Sequence, residues 1–341
     1  MNKRRIIKKI GLSLGILVYM ILPLNSVAKQ VRIKIATLAP EGSPWIKTFN
    51  AVDAELRKKT DNQVRLKIYP GGVLGGEKDM LRKMYIGQIH GAVLTSAALS
   101  ALFKEIDVFQ IPFLFQTPAE VDYVLSKMTD FFRKGFEKKG YRLLAWSEGG
   151  FVRLMSTSPV DTLAKLKKLK VWTWEDAPMA KAIFDQAGVS AIPLSVPDVL
   201  VGLQTGLVDV VYAPPTGAIA LQWFTKTKYL TDVPLIYLMG GIVIKISHLK
   251  KITAAHRNVL QNSFRAHANR LKHVIRKQNQ EALRVMADHG VKILHPSNAE
   301  IEKFKKLSQK ALQNMHTTTF SAEVKDEIEA HLETYRRTQK Q

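Results

Sequence analysis

Apolar and polar positions along this chain follow two periods in alternation. Residues 31–38, VRIKIATL, alternate with a period of two, which predicts a strand with one buried face. From Pro44 to Thr60 the apolar residues recur every three or four positions, which predicts a helix capped by Ser43. Further strand-like and helix-like segments follow up to Trp146. Strands that alternate with helices predict a mostly parallel sheet with helices on both faces.

The alternation resumes after residue 150 and predicts a second α/β unit. Residues 169–215 read as strand, helix, strand, helix, strand, with Gly or Pro at nearly every joint. From Thr253 to His289 one helical pattern runs without Pro or Gly. At about 1.5 Å per residue it would span roughly 55 Å, which is longer than one small domain. We therefore expect this helix to cross between the two units. Residues 298–338 are predicted to be helical.

The predicted organisation is a signal peptide followed by two discontinuous α/β domains with a cleft between them. The first domain comprises residues 29–150 and about 240–289. The second comprises residues 151–239 and about 290–341. A chain of 341 residues is long enough for two such domains.

The first 28 residues have the pattern of a secretory signal. Five Lys and Arg residues precede a fifteen-residue apolar run from Ile10 to Leu24. The small residues of Ser26-Val27-Ala28 follow, so cleavage is expected after Ala28. The alternative is an uncleaved membrane anchor, for which the apolar run is short. The mature protein is therefore predicted to lie in the periplasm.

The amino-acid composition and the absence of catalytic motifs exclude several classes of function. The chain contains no cysteine, which excludes disulfides, thiol catalysis and cysteine-based zinc sites. No HExxH or GxSxG pattern occurs, and no metal site, cofactor or enzymatic activity is expected. The formal charge is +22, but the basic residues are scattered and lack interleaved aromatics. We therefore expect no nucleic-acid partner, although the charge favours anionic ligands or an acidic partner surface.

Two features point to a ligand cleft. Trp172 and Trp174 lie two apart on a predicted strand and so share one face, where they form either an aromatic wall of the cleft or part of the core. Ligands of open α/β folds lie at the carboxyl ends of strands, which favours the cleft. Arg153 follows the predicted crossing between the units. It either grips a carboxylate bidentately or is simply exposed.

Several stretches together resemble the solute-binding receptors of tripartite ATP-independent periplasmic (TRAP) transporters, the DctP-like family. They are YPGGVLGGEKDMLRKMYIGQIHGAVLT, FQIPFLF, LKKLKVWTWEDAPM and LSVPDVLVGLQTGLVDVVYAPP, and the resemblance covers almost all of residues 31–310. The last stretch carries the family pattern D-x-x-x-x-L-Q-T-G-x-x-D from Asp198 to Asp209. The resemblance implies a periplasmic-binding-protein fold with a hinge, crossing strands and a long interdomain helix. It also implies delivery of one small ligand to the membrane subunits of an ion-gradient-driven permease.

One departure from the family bears on the ligand. The family usually shows K-[IV]-R-V-P, whose arginine clamps the substrate carboxylate, and this chain has Trp172 at the place of that arginine. Near the family's asparagine stands Tyr212-Ala213-Pro214-Pro215. A charge-assisted bidentate contact contributes about 1.5–3 kcal/mol, which a tryptophan cannot supply. We therefore expect an organic acid or a ring-containing, apolar molecule rather than a simple C4-dicarboxylate.

The residues expected to contact the ligand come from both domains. They are Glu41, Trp45, Thr95, Ser96, Phe151, Arg153, Trp172, Trp174, Tyr212 and Trp223. Arg153 would orient a carboxylate, and Trp172 and Tyr212 would stack on the ligand body. Two other functions remain open: a basic exported scaffold or adhesion protein, and an exported hydrolase. The sequence leaves open whether the protein is a monomer or a homodimer.

Overall fold

The computed structural model describes residues 30–175, 177–313 and 319–339. The predicted signal peptide and its cleavage site therefore lie outside the described residues. The strands are β1 (Val31–Ala36), β2 (Val64–Tyr69), β3 (Gly91–Thr95), β4 (Tyr141–Phe151), β5 (Arg153–Ser156), β6 (Lys170–Thr173), β7 (Ser190–Pro193), β8 (Val210–Ala213), β9 (Tyr229–Thr231), β10 (Tyr237–Lys245) and β11 (Lys292–Leu294).

The helices lie mainly where the apolar period of three to four predicts them. They are α1 (Pro44–Lys59), α2 (Glu77–Tyr85), α3 (Ser96–Ser100), α4 (Pro118–Lys138), α5 (Leu163–Leu166), α6 (Pro178–Ala187), α7 (Val199–Thr205), α8 (Pro215–Ala220), α9 (Ile246–Leu249), α10 (Ala254–Asp288), α11 (Asn298–Gln313) and α12 (Ala322–Thr338). In the described part of the chain, no helix is both long and apolar enough to cross a bilayer.

Two mixed sheets form the centres of two units, which confirms the predicted two-domain α/β fold. The first sheet has the strand order β2-β1-β3-β10-β4, and the second has the order β11-β9-β5-β8-β6-β7. In the first, β10 runs antiparallel to both β3 and β4. In the second, β5 runs antiparallel to both β8 and β9. Each sheet therefore contains one reversed strand among otherwise parallel neighbours.

Two strands carry the chain between the units side by side. β4 ends at Phe151 and β5 begins at Arg153 in the other sheet, so Val152 alone joins them. Phe151 pairs with Tyr237, where β10 returns to the first sheet. The backbone of Val152 exchanges hydrogen bonds with Leu235 and Ile236. β4 is longer than predicted because its glycine-rich end continues to pair with β10 across this crossing.

The long helix α10 joins the two units as expected. Thr253 caps it by accepting a hydrogen bond from the backbone of His256. Near its start, Phe264 is buried in a core with α1 and the first sheet, whereas Met286 near its end is buried in the core of the second unit. The helix therefore packs against both units.

The C-terminal segment differs from the expected division. Residues 298–338 were predicted as one helical region of the second domain, but they form α11 and α12, which pack on different units. α11 packs against α6 of the second unit, and α12 packs against α4 of the first. Arg336 donates from Nε to Glu120 Oε1 at 2.8 Å, and Ile328 joins the first core. The apolar stripe of α12 thus finds its burial on α4, and the chain crosses between the units once more.

Candidate functional site

Two adjoining cavities lie between the units. The central cavity has a volume of about 160 Å³ and is lined from the first unit by residues that include Trp45, Glu77 and Thr95. From the second unit, Trp174 and Trp223 line it. The carboxyl ends of β3, β6 and β8 meet at this place, as expected for a ligand site in an open α/β fold.

The second cavity, which we call the apolar arm, has a volume of about 110 Å³. Its wall on the side of the second unit is formed by α6, β5, β8 and α11 and includes Phe184, Tyr212 and Leu307. Thr95, Trp174 and Leu238 line both the arm and the central cavity. The two spaces therefore meet beside the Trp174 indole.

Trp174 is the side chain around which these spaces are arranged. It lines the central cavity, the apolar arm and a third, more polar pocket that includes Lys104, Asp107 and Glu175. Its indole Nε1 is buried and has no hydrogen-bond partner. A buried donor without a partner is costly.

Trp172 is not placed where the sequence-based hypothesis expects it. Its side chain is completely buried, and its indole Nε1 donates to the carbonyl of Leu194 at 2.9 Å. The Trp172 ring packs against Trp174, Tyr212 and Trp223, with centroid distances of 4.2, 5.2 and 5.0 Å. Direct stacking of Trp172 on a ligand is therefore a wrong expectation for this conformation. The residue supports the wall from behind.

Arg153 is also placed differently from the expectation. Val152 and Leu154 line the apolar arm, and because side chains alternate along a strand, Arg153 lies on the opposite face of the sheet. There its Nε contacts Asp232 Oδ1 at 2.6 Å. The prediction that Arg153 orients a ligand carboxylate does not fit this geometry.

The other predicted residues divide into two groups. Trp45, Thr95, Ser96, Trp174, Tyr212 and Trp223 line one or both cavities. Glu41 is exposed in the turn before α1, and Phe151 packs edge-on against Tyr237 at 4.9 Å in the crossing strands. Neither Glu41 nor Phe151 lines the two cavities, so the structure brings together the first group only.

Sequence reasoning missed Glu77, the first residue of α2. Its carboxylate accepts from the backbone N of Thr95 at 2.6 Å and from the Thr95 hydroxyl at 2.7 Å. Burial raises the pKa of Glu77 to about 7, and the two hydrogen bonds from Thr95 oppose that rise. The signal was present in the sequence, because Glu77 directly follows the glycine loop, where the start of α2 turns toward the cleft.

The cavities offer no cation to an anionic ligand. No Lys, Arg or His of the described chain lines either the central cavity or the apolar arm. Of the two acids in the central cavity, Glu148 is already paired, since its Oε1 accepts from Arg276 Nε at 2.8 Å. Arg276 also contacts Asp122 at 2.7 Å, so its guanidinium is occupied on the long helix. The site is therefore aromatic and aliphatic, with few polar groups.

The sequence of this chain is similar to those of known solute-binding proteins. The sequence profile of the DctP family, bacterial extracellular solute-binding protein family 7, matches residues 35–319. The 2,3-diketo-L-gulonate-binding periplasmic protein YiaO of Escherichia coli is 26% identical over 250 residues, which are 73% of this chain and 75% of that protein. The sequence likeness extends over both units.

Solved structures show the same fold at lower sequence identity. A TRAP periplasmic solute-binding protein from Desulfovibrio salexigens with bound orotic acid has a TM-score of 0.82 at 21% identity, covering 90% of this chain and 99% of that one. The sugar acid binding protein DctPAm from Advenella mimigardefordensis, in complex with galactonate, has a TM-score of 0.83 at 20% identity, covering 90% and 99%.

Proposed function

Because the chain belongs to the DctP family of bacterial extracellular solute-binding proteins, we propose that it is a periplasmic receptor that delivers one small organic ligand to a TRAP permease. The family and the fold are those of receptors, not of enzymes. The ligand would lie beside Trp174 and contact both units. The permease, driven by an ion gradient, would receive it without the use of ATP.

The observation that carries the proposal is the position of Trp174 where two cavities between the units meet. A ligand held there touches Thr95 of the first unit and Trp174 of the second unit. It also touches Leu238 of the crossing strand β10. Such a ligand stabilises the closed arrangement of the two units, which is the basis of hinge closure in binding proteins.

The lining favours a ring-containing or apolar ligand. The named relatives bind sugar acids or orotic acid, but no cationic side chain of the described residues lines the central cavity or the apolar arm. Aromatic faces such as Trp174 and Tyr212 stack on rings and aliphatic surfaces. A C4-dicarboxylate would leave two charges without partners in a poorly hydrated site, which is costly.

The other two functions lack support from the site. A hydrolase needs a nucleophile and a base within hydrogen-bond reach, and no histidine of the described chain lines the two cavities. A scaffold or adhesion protein gives no reason for two connected cavities between the units. Neither is proposed further.

Native mass spectrometry of the periplasmic protein tests the proposal. We expect a single-ligand adduct that is lost on unfolding, and we expect the variant Trp174→Ala to lose it. Trp174→Phe is the matched control, because it keeps a smaller aromatic face and removes the Nε1 donor. An adduct that is equally abundant in wild type and Trp174→Ala contradicts a site beside Trp174, and a bare wild-type chain contradicts the receptor.

A further inference from the structure

We propose that the apolar arm is a separate subsite for an extended aliphatic or aryl group, and that the ligand is an amphiphile with its oxygen-bearing end in the central cavity. This inference rests on the proposed receptor function and deepens it by naming the ligand class. The inference requires the arm to be mainly apolar and to open into the central cavity.

The arm is lined almost entirely by carbon. Ile183 and Phe184 of α6 face Leu235 of the crossing segment and Leu307 of α11 across it. The polar side chains of the arm lie mainly toward the first unit, where they include Thr95, Ser96 and Gln110. An empty space with such walls loses dispersion contacts and is readily filled by an apolar group.

The opening into the central cavity is formed by shared residues. Thr95, Trp174 and Leu238 belong to the lining of both spaces. A molecule that passes this opening lies along the Trp174 indole, with one end on either side. The two cavities therefore form one bent site rather than two independent sites.

The polar end is expected in the central cavity because the Glu77 carboxyl and the Thr95 hydroxyl lie in its lining. Thr37 and Ser147 also line this cavity. No cationic side chain of the described residues lines this cavity. A hydroxyl or carbonyl oxygen thus matches the lining better than a carboxylate does.

Pro112 and Phe113 lie where the arm adjoins the protein surface. Both residues also line a large surface groove of about 960 Å³, which lies between α11 and α12. The Phe113 ring therefore stands between the arm and the exterior. Phe113 has a backbone φ of 59°, which residues other than glycine rarely adopt. Its backbone N donates to the carbonyl of Leu235 at 2.7 Å.

A homologous series of 1-alkanols, from butanol to decanol, tests the arm with the mature protein. Affinity is measured for each alcohol by ligand-observed NMR titration. Each methylene that enters the arm should raise the affinity about fourfold. The rise should stop at the chain length that fills the arm.

Two variants in the lining of the arm should change the chain length at which the affinity stops rising, one to shorter and one to longer alcohols. Ala180 of α6 lines the arm, so Ala180→Phe fills part of it, and we expect the rise to stop at a shorter chain than in the wild type. Phe113→Gly opens the arm toward the surface groove, and glycine accepts the positive φ, so the rise should continue to longer chains. Ala220→Phe, which fills the central cavity instead, should weaken every member of the series. Ala180→Leu replaces Ala180→Phe if the larger side chain lowers the melting temperature strongly.

Two outcomes overturn the inference. One is an affinity that does not depend on chain length in the wild type, and the other is a limit that Ala180→Phe leaves unchanged. If the native adduct persists under either outcome and is lost in Trp174→Ala, the receptor stands and only the arm fails. If chain-length dependence is present but the periplasmic protein carries no adduct, the arm stands and the receptor function fails.

Discussion

The ring centroids of Trp172 and Trp174 lie 4.2 Å apart, with an angle of 47° between the ring planes. Trp174 borders the cavities, whereas Trp172 lies behind it and has no exposed surface. Trp172 is thus a structural support, and the neighbouring Trp174 is the tryptophan that borders the proposed ligand site. Trp172 therefore adds a second aromatic layer behind the wall of the central cavity.

Replacing Trp172 by arginine should not restore an acid-binding clamp. The guanidinium would be buried among Trp174, Tyr212 and Trp223 without an acidic partner, and such a charge is strongly unfavourable. We expect Trp172→Arg to lower the free energy of unfolding by more than about 3 kcal/mol. Chemical denaturation measures this loss, and calorimetric titration with succinate should show no gain in affinity.

Trp172→Phe is the control for that experiment, because it keeps an aromatic ring and introduces no charge, although it loses the hydrogen bond to the Leu194 carbonyl and part of the packing. Its unfolding free energy should fall by a smaller amount. A stable Trp172→Arg protein that binds succinate would show that the side chain reaches the cleft, against its burial here.

Arg153 should be dispensable for ligand binding. Its guanidinium pairs with Asp232 on the sheet face opposite the apolar arm. Both partners are partly exposed, so the loss of the pair should cost at most about 1 kcal/mol of stability. We expect Arg153→Gln to bind the native ligand within twofold of wild type, measured by titration after the ligand has been identified. Asp232→Asn should also bind the ligand within twofold of wild type. A tenfold loss of affinity in Arg153→Gln alone would show that Arg153 contacts the ligand.

The stability contribution of Glu77 should depend on pH. Its folded-state pKa of about 7 lies above the ordinary value of 4.5, so the folded state holds the proton more tightly. Its contribution is therefore fully present below pH 4.5 and is lost as the pH rises through 7. The loss amounts to about 3 kcal/mol at most, from 1.36 kcal/mol per unit of pKa shift.

The difference in unfolding free energy between wild type and Glu77→Gln isolates this effect. Asp107, whose pKa burial also raises to about 7, titrates equally in both proteins. Burial lowers the pKa of His90 to about 4, which acts in the opposite direction between pH 4 and 6.5, and this effect also cancels in the difference. We expect the wild type to lose stability relative to Glu77→Gln as the pH rises from 4.5 to 7. A difference that is constant with pH would mean that Glu77 is ionised throughout.

The crossing strand and the long helix approach so closely at Gly150 that a side chain there would collide. A Cβ at Gly150 would lie 2.4 Å from Asn279 Nδ2, and the φ of Gly150 is 101°. Asn279 donates to the carbonyl of Gly149 at 2.6 Å and accepts from the backbone N of Thr216 at 3.0 Å. One side chain of α10 therefore ties β4 to the start of α8.

We expect Gly150→Ala to destabilise the protein through both the collision and the positive φ. In a double-mutant cycle with Asn279→Ala, the collision disappears but the backbone strain remains. Gly150→Ala should therefore cost less in the Asn279→Ala background, measured as free energies of unfolding. Costs that simply add would show that the two residues do not constrain each other.

Many helices and strands could be predicted from the sequence, because the spacing of apolar residues depends only on the local secondary structure. The pattern from Thr253 to His289 predicted α10 almost to the residue, since Thr253 caps its start and no Pro or Gly interrupts it. The division of the C-terminal helices did not follow. The apolar stripe of α12 predicts that one face of the helix is buried. It does not predict whether α4 or the second unit covers that face.

The site was predictable only in part, for a similar reason. Trp172 and Trp174 look equivalent in the sequence, and only the packing of Tyr212 and Trp223 around Trp172 distinguishes them. For Arg153, the alternation of side chains along β5 fixes the face, but the sequence does not say which face borders the cleft. Asp232, its partner, is 79 positions away in the chain.

A crystal structure of the protein purified with its native ligand would locate the ligand-binding site. We predict ligand density against the Trp174 indole, with contacts from both units and no Lys or Arg side chain within hydrogen-bond distance of the ligand. Density for a dicarboxylate clamped by a cationic side chain, or density away from Trp174, would contradict the account.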